Sequence, residues 1–201
     1  MENLQFNQTR FVLIQSAKRL SGKLNRTIRS ITSEDYSYDD AQWTAKQIAC
    51  HIYLSNQYMI KKIQNVIGLL NEGLLNEDSE YFESDLTIVE TILNVSVYKI
   101  KSLPEYNLPL HYSLEELELK MAVQIMKFIQ LAKETPAAYA NNYLTQMKVI
   151  SGIKLDIYQL LYFAIKHTEH HLDQIDSIES IKEILDYLPI SKEKDQQFTY
   201  S

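Results

Sequence analysis

TAKQIACHIYLSNQYMIKKIQNVIGLL, from Thr44 to Leu70, decides the fold class of this 201-residue chain. It opens on Thr44-Ala45-Lys46-Gln47, a capping-box pattern. In such a box the Thr hydroxyl accepts from the amide of Gln47 and the Gln side chain returns to the amide of Thr44, while Trp43 and Ile48 flank it as a hydrophobic staple. Ile48, Ile52, Met59, Ile63, Val66 and Leu70 then recur at helical spacing. A long amphipathic helix starting near residue 45 follows from the cap and the stripe together.

The same opening chemistry recurs twice. Ser113 and Glu116 form a second box with Tyr112 and Leu117 as staple, and Asp156 caps a third start with Gln159 at the third helical position and Leu155 and Leu160 as the apolar pair. Helices near 114 and 157 carry the stripes Leu117, Met121, Ile125, Phe128, Ala132 and Ile157, Leu160, Ala164, Ile175, Ile178. An earlier segment from about Leu4 to Ile31 offers Phe11, Ile14, Leu20, Leu24 and Ile28. Four long amphipathic helices give an all-α chain with a four-helix bundle as its default architecture.

Residues 72–112 separate the second and third of these helices. That is far longer than the roughly 2–8 residues usual between bundle neighbours. Such a crossover lets the second and third helices run the same way, an up-down-down-up order. It carries an acidic insert over 76–85, containing EDSEYFESD, then a short helix near Leu86 to Asn94 and extended chain around Pro104 and Pro109. Residues 137–155 read as a helical turn or two and a loop through Gly152. One domain over 1–188 and a solvated tail over 189–201 complete the expected organisation.

Composition agrees with a helical chain, since only four glycines and four prolines interrupt it. Its length allows burial of about 70% of the surface an unfolded chain exposes, so no covalent staple is needed. The single cysteine, Cys50, permits no internal disulfide, and the start MENLQFNQTR lacks a basic-then-apolar leader pattern. A reducing cytoplasm is the expected compartment. The run YQLLYFAI is closed by Lys166, far short of a membrane span. With 26 acidic against 20 basic residues and no basic stripe, neither nucleic acid nor an anionic membrane is expected as partner.

HTEHH, from His167 to His171, holds three of the chain's five histidines. His167 and His171 are four apart and so share one helix face, about 40° from each other round the axis. That face continues the stripe Ile157, Leu160, Ala164 and reaches Gln174 and Ile178. His170 is turned away by about 100°, to a flank. His51 lies on the inward stripe of the second helix, within its first two turns. In the up-down-down-up order the start of that helix meets the later part of the last one, which brings His51 to His167 and His171.

Imidazoles buried together stay neutral and keep free lone pairs, and three of them form a metal site suited to Zn, Ni, Cu or Fe. Three protein ligands leave a position open, where a water would have its pKa lowered to about 7 or a substrate thiol would be held as thiolate. Two plainer readings compete: the pair as a solvated helix end, and His51 as a satisfied core histidine. The joint placement favours the metal. Gln174 is placed to orient a ligand ring and Tyr58, two turns beyond His51, to present a hydroxyl near the ion, although core-edge packing accounts for each equally well.

Other chemistries fit less well. No histidine has a glutamate three residues before it, as a di-iron carboxylate bundle requires, and Glu169 stands at the third position of HTEHH rather than the second. Cys50 points about 100° from His51 and reads as a buried inert thiol. His111 reads as a loop histidine.

WTAKQIACH (Trp43 to His51) and SGIKLDIYQLLYFAIKHTEHHLDQI (Ser151 to Ile175) resemble the DinB/YfiT-like family of metal-dependent enzymes. The resemblance implies an up-down-down-up bundle with His51, His167 and His171 as ligands of a divalent metal, usually Zn or Ni. It implies a small-molecule substrate, with thiol-dependent S-transferases that use low-molecular-weight thiols and maleylpyruvate isomerases both among the family's activities, and homodimers as a further expectation. The chain departs from the family where no proline precedes Gly152 and in its acidic insert. A thiol-dependent S-transferase or hydrolase is the leading expectation, and the alternative is a non-catalytic metal- or ligand-binding helical module.

Overall fold

The computed structural model describes residues 2–32, 43–73, 84–94, 108, 111–136, 145–146 and 154–187, with 2–7 and 145–146 as backbone only. It is all-helical apart from one minimal strand pair. The helices are α1 (Glu2–Ser30), α2 (Ala45–Asn71), α3 (Thr87–Asn94), α4 (Leu114–Glu134) and α5 (Ile157–Tyr187). Strands β1 (Thr145–Gln146) and β2 (Lys154–Leu155) pair antiparallel, Thr145 opposite Leu155.

The three expected helix starts are all present. Gln47 N donates to Thr44 Oγ1 at 3.2 Å and Thr44 N to Gln47 Oε1 at 2.8 Å. Glu116 N and Ser113 Oγ stand 3.2 Å apart, with Ser113 N returning to Glu116 Oε2 at 2.9 Å. At α5 the box runs from Gln159 N to Asp156 Oδ1 at 2.7 Å and from Asp156 N to Gln159 Oε1 at 3.0 Å. α2 ends where Gly73 takes φ 67°, a left-handed turn that glycine adopts without a Cβ penalty.

The stripes of α2, α4 and α5 are buried as the periodicity predicts. On α1 the reading needs correction. Phe11 is 61% exposed and Ile14 only half-buried, and the core face is Leu13, Ala17, Leu20, Leu24 and Ile28. Phe11 sits about 160° round the helix from Leu13, so a stripe drawn through it takes the wrong face in the first turns.

α5 is the central element, packed by α1, α2, α3 and α4, and its first turns from Ile157 to Ile165 are buried on every side. This is why YQLLYFAI is apolar without a helical period. α1 and α4 run in opposite directions, joined by Asn25 Nδ2 to Glu118 Oε1 at 2.8 Å and, at the other end, Arg10 Nη2 to Thr135 O at 2.9 Å. α1 and α5 run the same way, linked by Arg10 to Tyr158, Lys23 to Asp173 and Thr32 to Glu179. α2 runs against α5: His51 faces His171, and further along Asn56 meets Thr168.

The short helix expected near Leu86 to Asn94 is α3, opened by Asp85, whose Oδ1 accepts from Thr87 N at 2.9 Å. Of the acidic insert over 76–85, only Ser84 and Asp85 are described; the extended chain expected around Pro104 and Pro109, the helical turn expected after 137, the loop at Gly152 and the tail over 189–201 lie outside the described residues. β1 and β2 replace part of the loop expected over 137–155. A two-residue ladder is too short for any alternation to register in sequence. Leu155, wholly buried, anchors it ahead of the Asp156 cap. Among the described residues, no helix is long and apolar enough to cross a membrane.

Asp156 combines an N-cap with burial: it is 4% exposed. Burial pushes its carboxyl from 3.8 up to about 6, against the opposing hydrogen bonds from Gln159, Ser84 and Tyr158. A folded-state value raised above the unfolded one means that ionisation costs stability, absent below pH 3.8 and complete above about 6. Asn caps as well as Asp and carries no charge. Asp156→Asn should therefore stabilise the protein by about 1–2 kcal/mol at pH 8, part of the gain being offset by the lost charge–dipole term. The gain should vanish at pH 4, and melting midpoints at the two pH values test this; an equal gain at both would mean that burial does not raise the carboxyl.

Candidate metal centre

The two antiparallel helices α2 and α5 carry the three histidines named from sequence into one cluster. The capping box fixes the start of α2, which puts His51 on its inner face, where it is 7% exposed. α5 presents His167, 6% exposed, and one turn later the half-buried His171. One ring nitrogen from each lies within 4.8 Å of the others, a group that could hold a metal ion. Ring centroids are 5.3 Å apart for His51–His167, 4.7 Å for His51–His171 and 4.5 Å for His167–His171.

The closest pair is the most informative. His167 Nε2 and His171 Nε2 are 3.2 Å apart. His171 Nδ1 stands 3.1 Å from Gln174 Oε1, an amide oxygen that can only accept, so the ring proton resides on Nδ1 and the Nε2 lone pair faces His167. Two ring nitrogens at that distance need a proton or a cation between them. Two donors at about 2.05 Å from one tetrahedral ion stand about 3.3 Å apart, so the spacing suits either.

Burial selects the state that binds metal. His51 is pushed from 6.5 down to about 4, first by burial and then by His171. His167 is driven well below 6.5 by burial and by the other histidines. His171 is lowered by burial, with the Gln174 hydrogen bond opposing. All three rings are therefore neutral at pH 7, and neutral nitrogen donors fit a divalent transition metal.

The outlying histidines stay outside. His170 is exposed on the flank, its ring 5.4 Å from that of His171, and His111 is exposed ahead of α4 with its ring 4.3 Å from Tyr112. Cys50 is buried with its thiol pushed up by burial, which suits an inert core residue. Tyr58 is half-buried, with Lys62 Nζ 5.9 Å from its ring centre.

Three neighbours of the cluster escape the sequence reading. Trp43, expected only as a staple, turns its half-buried ring to His51 at 5.0 Å. Phe163 stacks on His167 with centroids 5.6 Å apart and planes 20° from parallel. Ser55 Oγ lies 3.4 Å from His51 Nε2. Phe163 and Ser55 each stand one turn from a histidine, so the i, i+4 rule carries their signal.

Comparisons with curated proteins and with solved structures find no match. The sequence model of one family, described as the DinB superfamily, matches residues 5–175, which include His51, His167 and His171 and most of the chain. The cluster's three histidines thus lie inside the family's own span, and the chain belongs to the DinB superfamily.

Proposed function

We propose that His51, His167 and His171 bind a divalent transition metal, Zn or Ni, and that the protein is an enzyme acting on a small electrophilic molecule with a low-molecular-weight thiol or water. The observation that carries this reading is the 3.2 Å approach of two neutral imidazole nitrogens beside a third, all desolvated. An ion held there supplies Lewis acidity, which lowers the pKa of a thiol or water at its open position. The chain's own part is to keep three rings neutral by burial, to set the tautomer of His171 through Gln174, and to wall the site with Trp43 and Phe163. Transfer of the thiol to the substrate, or hydrolysis, is the reaction class, with Tyr58 a further candidate to reach the site.

The same reading takes the four long helices as an up-down-down-up bundle within one domain over 1–188, in a cytoplasmic protein that pairs as a homodimer. The opposite directions of α1 and α4 and of α2 and α5, and the common direction of α1 and α5, support that order. A cobalt-substituted sample tests the enzyme reading. Azide or a small thiol should change its visible spectrum at millimolar concentrations; a cobalt spectrum indifferent to both would mean a closed structural site and a non-catalytic module.

A further inference from the structure

Ser55 follows His51 by one turn on the inner face of α2, is 7% exposed, and has its Oγ 3.4 Å from His51 Nε2. The register of α2 against α5 sets its level. His51 faces His171 and Asn56 meets Thr168, so Ser55 comes level with His167. Its hydroxyl therefore stands beside one candidate ligand and at the axial level of another.

The spacing matters because about 3.3 Å is also the edge of a tetrahedron of donors around one ion. Ser55 Oγ is thus as close to His51 Nε2 as a neighbour in the same coordination sphere. A serine inside a helix commonly turns its hydroxyl back to the carbonyl four residues earlier. Thr168 does this, with Oγ1 2.8 Å from Ala164 O. Ser55 is turned toward an imidazole.

A hydroxyl has one proton to give. In the tautomer with the proton on Nδ1, the His51 Nε2 lone pair is its acceptor; once that lone pair is committed to an ion, the buried hydroxyl needs another. Two acceptors then compete, the His51 carbonyl one turn back and whatever occupies the ion's open position, and the hydroxyl is already turned to the side of the ring nitrogen. We infer that Ser55 donates a hydrogen bond to the exogenous ligand at the trihistidine site, so that the site favours ligands whose bound atom keeps a lone pair, such as a thiolate, hydroxide or azide. This rests on the metal reading given above.

Cobalt-loaded wild-type and Ser55→Ala proteins, titrated with azide and separately with imidazole, test it. The azide dissociation constant should rise about tenfold in Ser55→Ala, the size expected for one hydrogen bond to a charged partner. Imidazole keeps no lone pair on its bound nitrogen and should bind both proteins alike, as should cobalt itself. Ser55→Thr, which retains the hydroxyl, should recover azide affinity. Equal azide affinity in wild type and Ser55→Ala would overturn the inference, and so would a parallel loss of azide and imidazole, which is what a loosened site would give. A parallel loss of cobalt would place the hydroxyl on the ion itself and also overturn it. If the wild type takes up no cobalt, the trihistidine reading falls first and this one with it.

Discussion

His167→Ala, His51→Ala and His171→Ala should each abolish stoichiometric metal binding, whereas His170→Ala and His111→Ala should retain it. The expectation follows from geometry. Each of the first three supplies one of the nitrogens that lie within 4.8 Å of one another, while His170 and His111 are exposed outside the cluster. Removing a partner that only orients a ligand costs roughly 10–100-fold in metal affinity. Gln174→Ala, which frees His171 Nδ1 from its 3.1 Å partner, should fall in that range. Loss of a ligand itself should exceed it, leaving a two-histidine site with micromolar affinity or worse. Metal content after dialysis and titration calorimetry read this directly. Equal loss across all five histidine variants, or metal never above background in the wild type, would sink the site.

That grouping was legible because it depends on local rules that survive without a structure. Thr44, Ser113 and Asp156 mark helix starts by their own hydrogen-bonding chemistry, and each forms the box the sequence spells. Fixing those starts fixes the phase of α2 and α5, and the phase puts His51, His167 and His171 inward. α1 has no such cap pattern, and there periodicity alone puts Phe11 on the core face although it is exposed. What helix phase cannot give is the direction in which a side chain leans and what it meets on another element. Trp43 could be assigned to a staple, but its turn toward His51 depends on the path of the chain into α2. Tyr58 and Ser55 share the His51 face, two turns and one turn along; the one-turn neighbour, Ser55, makes a hydrogen bond with the ring. The β1–β2 pair joins two segments of two residues each and leaves no period to read.

The metal-free protein should lose stability steeply as pH falls from 6.5 to about 4. The sign follows from the direction of the histidine shifts. His51, His167 and His171 all have folded-state values depressed below 6.5, so the unfolded chain takes up protons first, and the stability present above 6.5 is lost as pH falls through the folded values. For His51 the drop from 6.5 to about 4 corresponds to about 3 kcal/mol. Against a total stability of about 5–15 kcal/mol that is a large fraction. The melting midpoint should fall by about 10 °C from this ring alone. Asp156 works the other way over an overlapping window, gaining stability as pH falls from about 6 to 3.8, and partly masks the loss. Asp156→Asn removes the mask, so the acid slope of that variant should be steeper than the wild type's. His51→Ala should flatten the slope, since one desolvated imidazole is gone. Zinc should raise the midpoint at pH 7 and do little at pH 4, where protons compete for the same lone pairs. Thermal melts of the apoprotein and these two variants at half-unit steps from pH 7 to 4 separate the contributions, and a His51→Ala slope as steep as the wild type's would mean that the imidazole is not held neutral by burial.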